Sequence, residues 1–333
     1  MHSIKKILPR AAAVLCFVFL LESAVQFLYQ PYDKYSIYAN REYREQKGGV
    51  DTLFCGTSHV YYAFDPALFD KRLGTNSFNM GTGAQPMSST YFLIREALDI
   101  NPVKTVYLGI SFSSLLKEEN DSGKLGAYDR LITLRGRLRC IVDETSNNRR
   151  VNELFYSTRV NKYLDLNTVK TNLKEKLDPA YETTPPESDG NRYMYKGYLA
   201  SDRIFSGKRT TEENKEYNVW DPENISQENL DYLVKIINLC EKKGVDLNLI
   251  IPPVTDSFLE RAGDSQGMHD YYANIARAYE VDLYDFTNYQ DRPVDFPNEY
   301  FKDASHLNQT GSQVFGNLLI DMILEKETQP QEM

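Results

Sequence analysis

Acyl transfer through a covalent intermediate needs three side chains. A hydroxyl attacks, an imidazole takes its proton, and a carboxylate orients and stabilises the resulting imidazolium. The chain of 333 residues has only four histidines, His2, His59, His269 and His306, so the candidate bases are few. Ser58 follows Gly56 and Thr57 at the end of a short apolar run, Leu53, Phe54 and Cys55. Asp303 and His306 stand three residues apart near the C-terminus, and one turn of chain brings such a pair to the same side. His59 is next to Ser58 and could line its site, although a neighbouring histidine is more often structural. Charge developing on the substrate oxygen needs hydrogen-bond donors. Three are on offer: the backbone N–H of Ser58, the N–H of Gly81 and the side chain of Ser111. No Cys/His spacing resembles a zinc site, and no metal or cofactor is called for.

For these groups to meet, strand ends must share one crevice. Runs at about 50–55, 77–79, 105–110, 245–251 and 281–284 read as strands, and 105–110 is apolar on both faces, as central parallel strands are. Between them lie helix signals. Asp65 precedes Pro66 as a cap, a helix follows over about 88–98, and Ser226 caps another over 230–243 that Gly244 ends. A further helix is expected over 269–279. In the last one Val314, Phe315, Leu318, Leu319, Met322 and Ile323 repeat at helical spacing. Strands alternating with helices predict an α/β fold, a parallel sheet covered on both faces with its ligand crevice at the carboxyl ends of the strands.

The alternation breaks over about 114–225, which reads as an insertion, a lid or partner-binding subdomain with helix-like pieces at 151–164 and 166–177. Its basic residues Arg130, Arg135, Arg137, Arg139, Arg149 and Arg150 could meet phosphate or lipid head groups, though a solvated helical face is the commoner meaning.

The N-terminus has a different character. Lys5, Lys6 and Arg10 precede an apolar stretch over 11–28 that Glu22 interrupts. Without a clean small-x-small cleavage site, this reads as an uncleaved signal anchor over 1–29, followed by a tether over 30–49 and the α/β domain over 50–330. The basic flank belongs on the cytoplasmic side, which places the α/β domain outside the cell membrane as a single-pass protein. A net charge of −9 argues against a nucleic-acid partner, whose footprint would be basic. Four cysteines make no disulfide framework; outside the cytoplasm a Cys140–Cys240 bridge could form, which sequence alone does not establish.

Taken together, these blocks resemble the SGNH (GDSL-like) hydrolase superfamily. Its nucleophile block matches Gly56-Thr57-Ser58, its glycine block Asn79-Met80-Gly81, and its closing Asp-x-x-His block Asp303-Ala304-Ser305-His306. The block usually reading Gly-x-Asn-Asp falls on Gly109-Ile110-Ser111-Phe112, where Ser111 stands at the position of the oxyanion-binding asparagine. The resemblance implies a flavodoxin-like three-layer α/β/α fold, with Ser58 as nucleophile, His306 as base, Asp303 as its orienter, and Gly81 and Ser111 at the oxyanion. The anchor, the Gly-Thr-Ser block and Ser111 are similar to the DltD-like group of that superfamily. That likeness implies a membrane-anchored extracytoplasmic serine acyltransferase or esterase that adds or removes acyl groups on cell-envelope glycopolymers. Its partners would be the membrane, an acylated polymer or acyl donor, and a membrane-bound O-acyltransferase. The alternative is a non-catalytic scaffold of the same fold that binds such a polymer or acyltransferase.

Overall fold

A strand that is apolar on both faces is stable only inside a sheet covered on both sides, and strands of this kind organise the larger part of the chain. The computed structural model describes residues 2–30, 35–116, 122–143, 147–160, 165–178, 187–207, 219–288 and 294–328. Its elements begin with α1 (His2–Tyr29), α2 (Tyr35–Glu45), β1 (Thr52–Cys55), α3 (Ser58–Ala63), α4 (Pro66–Leu73), β2 (Ser77–Asn79), α5 (Met87–Ile100) and β3 (Thr105–Gly109). Then come α6 (Ser122–Arg130), α7 (Leu134–Asp143), α8 (Asn147–Leu154), a 3₁₀ turn (Tyr156–Arg159) and α9 (Leu166–Lys176). The chain continues through β4 (Glu187–Ser188), β5 (Asn191–Tyr195), β6 (Tyr198–Ser201), α10 (Gln227–Lys243) and β7 (Asp246–Ile251). It closes with α11 (Asp256–Leu259), α12 (Ser265–Ala278), β8 (Asp282–Asp285) and α13 (Gln309–Thr328).

The chain divides into two units, residues 1–34 with 138–184, and residues 35–137 with 185–333. The second holds a parallel sheet of order β2-β1-β3-β7-β8, the flavodoxin-like doubly wound order. Phe54, Tyr107 and Ile250 face one side of it, in a core with Phe64 just after α3, Phe69 from α4, and Phe315 and Leu319 from α13. Phe54 sits 4.7 Å from Phe69 and 4.8 Å from Phe64 between ring centroids. On the other face α5 and α10 pack on each other and on β1 and β7. The caps are those expected: Asp65 accepts from the Ala67 N–H, Ser226 from that of Asn229, and Gly244 ends α10 with φ of 65°.

Several readings of the sequence need correction. Residues 35–45 of the expected tether form α2, which buries Tyr38, Ala39 and Tyr43. Tyrosine is polar at its tip and apolar in its body, so the helical spacing was hidden in a stretch that looked hydrophilic. Within the 114–225 stretch, β4, β5 and β6 form an antiparallel sheet. Its hairpins turn at Asp189-Gly190 and Lys196-Gly197, where all four residues have positive φ, the type I′ combination that Asp-Gly signals. The helix expected over 151–164 is cut short: α8 ends at Leu154, and residues 161–164 lie outside the described ones. Cys140 and Cys240 are not bridged by a disulfide. Arg130 is fully buried instead of facing head groups, donating to the Asn79 carbonyl at 3.1 Å. Arg135 pairs with Asp99 at 3.9 Å, and the Arg149 side chain lies outside the described part.

In the smaller unit, residues 7–29 of α1 are long and apolar enough to cross a membrane. The remainder packs against that helix: Glu22 accepts from the Ser157 backbone N–H at 2.8 Å and from its hydroxyl at 2.6 Å. Near the end of α1, the Asn172 amide donates to the Leu28 carbonyl at 2.9 Å and Lys176 to that of Gln30 at 2.8 Å.

The larger unit's core predicts a cost for truncation. Phe54→Ala removes a fully buried ring and should lower the unfolding free energy by about 3–5 kcal/mol, read from denaturant midpoints. A loss under about 1 kcal/mol would contradict the central place given to this ring.

Candidate active site

The site is built where β1 ends. Thr57 has extended backbone, and α3 starts at Ser58, so the serine stands in the first turn of a helix at the carboxyl edge of the sheet. Space is tight at Gly81, beside this turn. A Cβ there would lie 3.1 Å from the Tyr61 nitrogen and 3.2 Å from the Thr57 oxygen, so a glycine lets the chain leaving β2 rest against the serine turn without displacing it.

His306 comes from the opposite end of the chain. The loop 301–308 is pinned from several directions. Thr255 donates its hydroxyl to the Ala304 carbonyl at 2.8 Å, and the Asn308 amide donates to the Glu299 carbonyl at 2.7 Å. Just beyond, the fully buried Ser312 hydroxyl donates to the Ala63 carbonyl at 2.9 Å, fastening the start of α13 to the end of α3. The result is a continuous chain of contacts. Ser58 Oγ lies 2.8 Å from His306 Nε2, and His306 Nδ1 lies 2.9 and 3.0 Å from the two oxygens of Asp303.

Asp303 accepts more than the imidazole. The backbone N–H groups of Ser305 and His306 both donate to its Oδ1, at 3.0 and 2.9 Å. Burial works to raise its pKa, but the charge and hydrogen bond of His306, the Ser305 N–H and the Lys302 ammonium outweigh it and hold the carboxyl well below the usual range. Lys302 is 3.8 Å from Asp303 and donates to the Tyr62 hydroxyl at 2.8 Å, its ammonium 4.0 Å from the centre of the Tyr62 ring. Tyr62 in turn presents its ring edge-on to His306.

His59 stacks on His306, ring centroids 4.7 Å apart and planes 21° from parallel. Its Nδ1 lies 3.0 Å from the Thr57 hydroxyl, and its Nε2 is buried without a partner. Burial first, then the adjacent His306, push its pKa down to about 3, so the ring is neutral at pH 7. Below it is a small pocket lined by Ser111, Ile110, Phe112, Ile251, Val254 and Phe258.

Of the expected residues, Ser58, His306, Asp303 and His59 are therefore in contact. Gly81 is beside the turn, but its N–H donates to the Asn79 side chain at 3.0 Å. The Ser111 hydroxyl lies 3.1 Å from that of Ser114 and 3.5 Å from that of Ser113. Lys302 and Tyr62 were not foreseen. Lys302 adjoins Asp303 in sequence, and Tyr62 lies one turn beyond Ser58, the only signals that could have pointed to them. His269 lies 2.9 Å from Asp285, which is buried at the end of β8 and also accepts from Thr287. Among the described residues no group of His, Cys, Asp and Glu could hold a metal ion.

No protein-family model matches the chain, and no curated protein matches it. Among solved structures, it is similar to a protein provisionally assigned as an acylhydrolase from Bacteroides fragilis NCTC 9343. The two share 12% identity over 87% of this chain and 98% of that one, with a TM-score of 0.40. A GDSL-like lipase from Bacteroides thetaiotaomicron VPI-5482 is 13% identical over 89% and 99% of the two chains, with a TM-score of 0.37.

The neutral His59 makes stability pH-dependent. Unfolded, its imidazole gains a proton below about pH 6.5; folded, it does so only near pH 3. Its contribution is therefore complete above about pH 6.5 and is lost as the pH falls towards 3. The stability advantage of wild type over His59→Gln should shrink between pH 7 and pH 4 by about 2 kcal/mol, allowing for partial solvent screening of the ring. Urea denaturation at both pH values measures this, and an unchanged advantage would refute it.

Proposed function

We propose that the chain is an SGNH-type serine esterase or acyltransferase. The observation that carries this reading is the unbroken run from the Ser58 hydroxyl through both nitrogens of His306 to Asp303. His306 Nε2 takes the proton as Ser58 Oγ attacks an ester carbonyl. Charge develops on the carbonyl oxygen, towards which the Ser58 N–H, the Gly81 N–H and the Ser111 hydroxyl are the candidate donors. Collapse of the tetrahedral species expels the alcohol, which leaves with the proton from His306, and an acyl-serine remains. An acceptor hydroxyl or a water then attacks, His306 again taking and returning a proton, and Ser58 is regenerated. Asp303 stays anionic throughout, helped by Lys302, and fixes the tautomer in which His306 Nδ1 carries hydrogen.

In its finer form, residues 1–29 anchor the protein and the α/β body over 50–330 works outside the cell membrane, exchanging acyl groups on envelope glycopolymers beside a membrane-bound O-acyltransferase. Three features support this: the apolar α1 behind its basic flank, the Gly-Thr-Ser block, and Ser111 in place of the asparagine. The second reading, a non-catalytic scaffold, draws on the commitments of the Gly81 N–H to Asn79 and of the Ser111 hydroxyl to its serine neighbours.

Labelling by a fluorophosphonate probe decides between them. Wild type should be labelled and Ser58→Ala should not; equal labelling of the two would end the serine mechanism. With p-nitrophenyl acetate as substrate, His306→Ala and Asp303→Asn should each lower kcat about 10⁴-fold. Turnover within tenfold of wild type for either variant would count against the assigned base and orienter.

A further inference from the structure

The position of Glu22 within α1 sets a depth for everything that touches it. Arg10 and Glu22 are twelve residues apart, about 18 Å along a helix, whereas the hydrocarbon core of a bilayer is about 30 Å thick. A helix that spans the core therefore cannot put both charges in water without help. Arg10 has a long stem and can reach the cytoplasmic surface. Glu22 has a short one, and about 10 Å of helix still separate it from Tyr29. Its carboxylate falls inside the outer edge of the hydrocarbon, where a lone charge is costly.

Ser157 meets that cost with two donors, its backbone N–H and its hydroxyl. Contacts of 2.8 and 2.6 Å put Ser157 at the depth of Glu22. We propose that the segment from the end of α8 through the 3₁₀ turn lies in the outer interface of the membrane that α1 crosses, with Val151, Leu154 and Phe155 seated in lipid. The inference rests on the anchor reading given above.

The segment's own composition fits that place. Non-helical backbone at membrane depth must be satisfied within the protein, and four backbone N–H groups of this turn are. Phe155 donates to Val151, Thr158 to Phe155 and Val160 to Ser157, while the Ser157 N–H is held by Glu22. The Thr158 hydroxyl donates to the Asn152 side chain at 2.8 Å. Three apolar side chains turn outwards while Glu153 between them is buried: Val151 is 42%, Leu154 52% and Phe155 36% exposed. In water such a patch would be a liability; beside a spanning helix, lipid is its natural cover. The other candidate occupants, solvent or a protein partner, would leave these side chains out of reach of the acyl chains.

The single tryptophan, Trp220, belongs to the other unit and sets a baseline for fluorescence. Full-length Phe155→Trp and, separately, Leu154→Trp would be reconstituted into phosphatidylcholine–phosphatidylglycerol vesicles with and without brominated acyl chains, next to wild type. Phe17→Trp in α1 serves as the anchor control. In brominated vesicles the emission added by each new tryptophan should fall by about half or more, as for a side chain seated 5–10 Å into the interface. Quenching of the Phe17→Trp emission without quenching at 154 and 155 would overturn the inference while leaving the anchor in place. Absence of quenching at all three positions would overturn the anchor reading and the inference with it.

Discussion

The site depends on one constraint: two residues 248 positions apart must be held within hydrogen-bonding distance. A hydrogen bond between Ser58 and His306 is too weak to enforce that itself, since such bonds contribute about 1 kcal/mol net. The enforcement comes from burial. The first turn of α13 is tied to the last turn of α3 through Ser312, and both helices pack on the Phe54 face of the sheet. Opening the gap by an ångström would leave a buried carbonyl unpaired and a packed aromatic core strained. The functional contact is thus a by-product of a stronger, non-functional one.

The same logic explains how the imidazole is oriented. Asp303 is locked by two backbone N–H groups, independently of the His306 imidazole. The ring is then confined on its faces and edge by His59 and Tyr62. Tyr62 is held through Lys302, which also adds positive charge beside Asp303. Four side chains from two stretches of chain thereby leave His306 little freedom to leave Ser58.

What could be read in the sequence was what is local or strongly periodic. The parallel strands declare themselves as short apolar runs ended by glycine or proline, and Asp303 with His306 as a pair one turn apart. The partners that escaped notice are joined only through space: His269 with Asp285, and Tyr62 with Lys302. The β4–β6 sheet escaped for another reason. Its strands are short and rich in tyrosine and polar residues, with little alternation, and only the Asp189-Gly190 turn betrays it. Helix α2 was hidden by tyrosines that bury their rings while scoring as polar. Glu22, an oddity in an apolar run, finds its explanation in Ser157, which no spacing could connect to it.

The stacked pair of imidazoles has one more consequence. Their ring centroids are 4.7 Å apart, and burial together with the neighbouring ring keeps His59 uncharged at neutral pH. The face of His306 that meets His59 is therefore closed by a flat, uncharged wall that brings no competing charge to the contact with Ser58 and Asp303.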